Sequence, residues 1–99
     1  MIKSICLKVE GQVQGVFFRR SAKEEAAKLE IKGFVRNEPN GSVYIEAEGE
    51  EKSLQEFIHW CKKGPEAALV KKVVIENCTR KNYPDFSVEW SDKAFWLKK

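Results

Sequence analysis

The hydrophobic period of this chain switches repeatedly between two residues and 3.6, and the order of those switches restricts its fold more than any other feature. Within residues 2–10, Ile5, Leu7 and Val9 alternate with polar neighbours, as in a half-buried strand. Residues 18–29 change to helical spacing, with Phe18, Ala22, Ala26 and Leu29 inward and Lys23, Glu24 and Lys28 outward. Extended character returns from Ile31 to Asn37. Pro39-Asn40-Gly41 then reads as a hairpin turn, because Asn-Gly tolerates positive φ. Beyond it, Val43, Ile45 and Ala47 alternate with Tyr44, Glu46 and Glu48 until Gly49, a two-sided strand. Residues 51–63 place Leu54, Phe57, Ile58 and Cys61 on one helical stripe, and Gly64-Pro65 ends it. Val70 to Cys78 is strand-like. After Tyr83-Pro84-Asp85, a last short strand alternates Phe86, Val88 and Trp90.

That order, β-α-β-β-α-β with a final β, predicts an α+β fold: the ferredoxin-like split βαβ sandwich, with two helices on one face of a mainly antiparallel sheet. Right-handed crossovers set the hand of each βαβ unit. The 99 residues suit one domain, and no repeat, low-complexity tract or long linker divides them. Residues 91–99 read as a C-terminal extension of the single domain 1–99. With 42% hydrophobic and 33% charged residues, the chain has the composition of a folded globular protein. The net charge of +3, from 18 basic and 15 acidic residues, favours anions slightly but falls short of a nucleic-acid-binding signature.

Cys6, Cys61 and Cys78 are odd in number and far apart, with no metal-ligand pair among them. They read as reduced thiols and small apolar fillers, so a cytoplasmic protein without a metal site is expected. Lys3 and Lys8 interrupt any leader-like apolar run, and no stretch approaches membrane-spanning length. His59 lies off the Leu54/Phe57/Ile58 stripe and reads as exposed. Trp60, Trp90, Trp96 and the Phe95-Trp96-Leu97 run read as packing surface.

The chemistry-bearing stretch is Val9-Glu10-Gly11-Gln12-Val13-Gln14-Gly15-Val16-Phe17-Phe18-Arg19-Arg20. A strand enters it and a helix leaves it, with two glycines between and two arginines at the helix start. Free N–H groups at a helix start, with glycine to aim the preceding turn, can cradle a phosphate. An ordinary glycine turn is the competing reading. No Gly-Lys-Ser/Thr follows, so this is not a Walker loop, and the glycine triplet of a dinucleotide site is absent. By residue type alone, Arg19 and Arg20 are solvated helix residues and Asn37 is a turn former. Asn37 and Arg36 belong to opposite faces of their strand.

Val9 to Arg19 resembles the acylphosphatase signature, and so does Ile31-Lys32-Gly33-Phe34-Val35-Arg36-Asn37 followed by the Gly41 turn. Gly49, Gly64-Pro65, Val70, Val73 and Phe86-Ser87-Val88 extend the similarity over residues 3–90. The resemblance implies hydrolysis of a carboxyl–phosphate bond with neither metal nor organic cofactor. By position it makes Arg19 the phosphate-binding arginine and Asn37 the water-positioning asparagine, with Gly15, Val16, Phe17, Phe18 and Arg19 forming the phosphate loop. Phe17 sits where members vary, and Phe34 stands where many carry tryptophan. The resemblance does not account for residues 91–99.

That chemistry suits these residues. The leaving group of an acyl phosphate is a carboxylate whose conjugate acid has a pKa of roughly 4, so it departs unprotonated at neutral pH. No general acid is then required, and neither motif contains a His, a Cys or paired acids. Positioning and charge stabilisation remain, which a guanidinium fork, backbone amides and an asparagine amide can supply. The expected partner is a small-molecule acyl phosphate, with inorganic phosphate as product, acted on by a monomer without nucleic-acid or membrane partners. Two other readings use the same fold. One is an RNA-binding module, suggested by Lys32-Gly33-Phe34 but lacking the alternating aromatics that should follow. The other is a non-catalytic domain that binds a phosphorylated metabolite and releases it unchanged.

Overall fold

The computed structural model describes residues 1–89, so Trp90, the 91–99 extension and its Phe95-Trp96-Leu97 run lie outside the described residues. The chain runs β1 (Ile2–Gln12), α1 (Phe18–Lys28), β2 (Lys32–Asn37), β3 (Val43–Glu50), α2 (Glu51–Lys63), β4 (Leu69–Asn77) and β5 (Phe86–Glu89). The sheet order is β4-β1-β3-β2-β5. The β1–β3, β1–β4 and β2–β3 pairs are antiparallel, while β5 lies parallel to β2 at the edge. This is the ferredoxin-like arrangement expected, with one added edge strand.

One face of the sheet supplies Leu7, Val9, Val35, Val43, Ile45 and Ala47 to the core. The helices meet it with Ala22 and Ala26 from α1 and Leu54, Phe57 and Cys61 from α2, all buried. The alanines let α1 lie close to the sheet, while Phe57 fills the space between α2 and β5, 5.9 Å from the Phe86 ring. Glu51 in the first turn of α2 and Lys62 and Lys63 in its last complement the helix dipole. Gly64, at φ 72°, ends it. Trp60 packs on Phe18 and Phe57, and His59 is exposed. No described helix is long and apolar enough to cross a membrane.

A bulge at Glu10/Gly11 breaks the β1–β4 ladder just before the chain leaves for α1. Gly11 has φ 133°, and a Cβ there would collide with the Leu69 carbonyl oxygen, so β4 approaches too closely for any side chain.

Two expectations are corrected on the face of the sheet away from the helices. Cys6 and Cys78 form a disulfide, with Cα atoms 6.0 Å apart, and only Cys61 is a free, buried thiol. The antiparallel register sets Ile5 opposite Asn77, which brings together cysteines 72 positions apart in sequence. Glu46 and Glu48 are also buried, not solvated as strand alternation suggests. The segment 78–85 crosses over them. Glu48 accepts hydrogen bonds from the Lys81 and Tyr83 backbone amides, and Glu46 accepts from the Tyr44 hydroxyl, the Tyr83 hydroxyl and Lys81 Nζ. Burial pushes the Glu46 carboxyl upward, but these donors outweigh it and hold its pKa below the usual carboxylate range.

Candidate active site

The loop 13–17 between β1 and α1 is fixed from both sides. Val13 is buried in the core, and Gln14 Nε2 donates to the carbonyls of Glu38 and Ser42, each at 2.8 Å. Gln14 therefore ties this loop to the β2–β3 hairpin. The hairpin is itself closed by Glu38 N–H to Ser42 O and by Asn40 Oδ1 accepting from Ser42 N. Gly15 turns the chain at φ 74° with open space around it. Phe17 is also left-handed, at φ 61°, and 73% exposed, which puts backbone strain immediately before α1.

The first helical bond of α1 runs from Ser21 N–H to Phe17 O. The amides of Phe18, Arg19 and Arg20 therefore have no acceptor within the helix. Phe17 supplies no side-chain cap, and no acid stands in the first turn. The positive end of α1 thus has no acid of its own first turn to neutralise it.

Beside it opens a cavity of about 270 Å³ lined by Val13, Gly15, Phe17, Phe18, Arg19, Arg20 and Asn37. Arg19 reaches it from the first turn of α1, and its Nη1 also donates to the Glu89 carbonyl on β5 at 2.7 Å. Asn37 reaches it from the last residue of β2, where it pairs with Val43. Arg36 takes the opposite face. There it pairs with Glu38 at 2.6 Å and lies over the Phe34 and Tyr44 rings, 5.5 and 4.9 Å from their centroids. The hydrogen bond that Arg36 donates to Glu38 raises the Arg36 pKa further above its already high value. Among the described residues no group of three His, Cys, Asp or Glu is placed to hold a metal ion.

The family model for acylphosphatase matches residues 5–88. The chain is 43% identical over 89 residues to an acylphosphatase of Thermotoga petrophila, covering 90% of this chain and 99% of that protein. The chain belongs to the acylphosphatase family. Among solved structures, the acylphosphatase of Coxiella burnetii superposes with a TM-score of 0.86 at 38% identity, over 89% of this chain and 93% of that one. The acylphosphatase of Bacillus subtilis does so with a TM-score of 0.86 at 33% identity, over 91% of this chain and all of the other.

In this acylphosphatase-family chain, Gly15, Phe17, Phe18, Arg19 and Asn37 share one cleft, while Val16 packs against the core beside it. Arg20 is solvated as expected, with one addition. It is exposed, yet it also lines the cleft, because a helix that begins at the cleft's edge presents consecutive first-turn residues to the opening. Sequence reasoning also missed the clamp made by Gln14 and the Glu89 carbonyl on Arg19. Gln14 carried a weak signal, since a half-buried amide beside a glycine turn takes acceptors from a neighbouring segment. The Glu89 carbonyl carried none, because backbone groups have no sequence signature.

Proposed function

We propose that the chain hydrolyses acyl phosphates to a carboxylate and inorganic phosphate, with Arg19 and the 15–19 backbone amides binding the phosphoryl group and Asn37 positioning water. The observation that carries this reading is the shared cleft of Arg19, Asn37 and the uncapped start of α1. The phosphoryl oxygens would sit against the free amides of Phe18, Arg19 and Arg20, with the Arg19 guanidinium closing on them through paired N–H groups. Asn37 offers an amide oxygen and N–H₂ to a water on the far side of phosphorus from the acyl oxygen.

Water then attacks in line. The new P–O bond forms as the bond to the acyl oxygen breaks, and that oxygen leaves with the electron pair as a carboxylate. A phosphate oxygen takes the water's proton. An acyl phosphate dianion and water thus give a carboxylate anion and dihydrogen phosphate, with charge and atoms conserved. Charge moves from phosphorus toward a carboxylate, so fixed positive groups and not a proton donor lower the barrier. The Arg20 side chain adds a second cation at the rim.

We also propose a monomer that acts on small molecules in the cytoplasm, without a nucleic-acid partner. The 78–85 segment supports the last point: Tyr83 packs 5.8 Å from the Phe34 ring, on the sheet face an RNA strand would need open. In a cytoplasmic setting cellular dithiols would act on Cys6–Cys78, so cysteine usage no longer argues for either compartment.

Phosphate release from benzoyl phosphate in the presence of a chelator tests the enzyme reading. Arg19→Ala should lose both substrate affinity and rate, whereas Asn37→Ala should lower kcat with KM nearly kept. Unchanged hydrolysis in both variants would reject the site assignment. Phosphate binding without turnover by the wild type would favour the carrier reading.

A further inference from the structure

The 78–85 segment has no regular structure, yet it is pinned along its length to the open sheet face. Cys78 is bonded to Cys6, and its amide donates to the Ser4 carbonyl at 3.0 Å. At the far end, Asp85 O accepts from Gly33 N–H at 2.9 Å, and the chain enters β5. Between these ends the Pro84 carbonyl accepts from Lys32 Nζ at 3.2 Å, and one carboxylate holds the backbone N–H groups. Glu48, 3% exposed in the middle of β3, accepts the Lys81 amide at 2.5 Å and the Tyr83 amide at 3.2 Å.

A buried carboxylate is costly unless its lone pairs are filled, and irregular backbone lying on a sheet needs acceptors for its N–H groups. Each requirement here meets the other. Glu48 therefore does for this segment what a neighbouring strand does for a regular one. The next element, β5, pairs with β2 through its four described residues, and its Glu89 carbonyl holds the Arg19 guanidinium.

We propose that Glu48 is a positioning residue for phosphate binding: by clasping the 78–85 segment it sets β5, and through the Glu89 carbonyl it orients Arg19 in the cleft. This rests on the reading of Arg19 as the phosphate ligand. Glu48 lies on the sheet face opposite the cleft and never meets substrate, so its influence runs through the backbone of residues 81–89.

Glu48→Gln tests it. Glutamine keeps the volume and one acceptor oxygen but turns an N–H₂ toward the second amide, so one of the two bonds is lost. The measurements are KM and kcat for benzoyl phosphate, the inhibition constant of inorganic phosphate, and hydrogen exchange of the Lys81 and Tyr83 amides. All are made well below the melting temperature. Phosphate affinity should weaken about three- to tenfold, since one charge-assisted bond is lost and its effect is passed on only in part. KM should rise with it, kcat should stay within about twofold, and the amides should lose protection. In an Arg19→Ala background, Glu48→Gln should cost no further phosphate affinity, because the group it orients is gone.

Unprotected amides with wild-type phosphate affinity would overturn the proposal, as would an equal loss in the Arg19→Ala background. Should Glu48→Gln fail to fold, Glu48→Asp, which keeps the charge but draws the carboxylate back from the Lys81 and Tyr83 amides, is read by the same two criteria. The underlying reading fails separately: it falls if Arg19→Ala binds phosphate as the wild type does, whatever the Glu48 variant shows.

Discussion

Gln14 offers a direct measure of how far one side chain couples the 13–17 loop to the β2–β3 hairpin that carries Asn37. Its Nε2 spans the Glu38 and Ser42 carbonyls at 2.8 Å each, across 24 and 28 residues of sequence. Gln14→Met keeps the length of the side chain and removes both donors. The carbonyls do not become orphans, since Glu38 O also accepts Gly41 N–H and Ser42 O also accepts Glu38 N–H. The loss is therefore that of two ordinary neutral hydrogen bonds, without a desolvation penalty for bare acceptors, or about 1–2 kcal/mol in all. For a domain of this size that lowers Tm by roughly 5–15 °C. The functional loss should exceed what stability explains. A loop freed from the hairpin lets the amides of α1 drift from Asn37, and a displacement near 1 Å costs up to about 100-fold in rate. A fall in kcat of at least about tenfold is expected at a temperature where the variant is fully folded. Thermal melting by circular dichroism and steady-state hydrolysis of benzoyl phosphate give the two numbers. A lowered Tm with wild-type kcat would refute the coupling and leave Gln14 a purely structural residue. An unchanged Tm would refute the hydrogen-bond argument itself.

Other perturbations report on other parts of the structure. Both tyrosines of the chain, Tyr44 and Tyr83, are pushed up by burial and then by hydrogen bonding to Glu46, Tyr44 to about 12. The folded protein should therefore show almost no tyrosinate absorbance at pH 10, where the unfolded chain is half ionised. Because these pKa values are raised in the folded state, stability is intact below pH 10 and falls as pH rises toward 12; an ordinary tyrosine titration in the native protein would refute this. Phe57 is fully buried between Trp60 and Phe86, so Phe57→Ala should cost about 3–5 kcal/mol in a denaturant titration. Reducing Cys6–Cys78 with a dithiol should lower Tm and cost about 2–4 kcal/mol of stability, because the unfolded chain regains the freedom that a crosslink across 72 positions removes. Cys61, whose thiol is pushed up by burial and carries no thiolate at neutral pH, should stay unreactive toward disulfide reagents until the protein unfolds.

The sequence by itself determined the element order, the core stripes and the two motifs, because these rest on local period and local turn chemistry. Leu54, Phe57 and Cys61 could bury only one helical face, and Val43, Ile45 and Ala47 only one strand face. The alternation that sent Val35 to the core also sent Arg36 and Asn37 to opposite sides of the sheet. Tertiary structure decided what depends on register and on chain crossing over chain. The β1–β4 register joined Cys6 to Cys78, and the 78–85 segment converted Glu46 and Glu48 from solvent-facing positions into buried anchors. Folding also brought the Glu89 carbonyl to Arg19 and the Gln14 amide to the hairpin. Alternation states which face a side chain takes, but only the packed chain states whether that face meets water or backbone. A main-chain group carries no residue identity from which its partner could have been read.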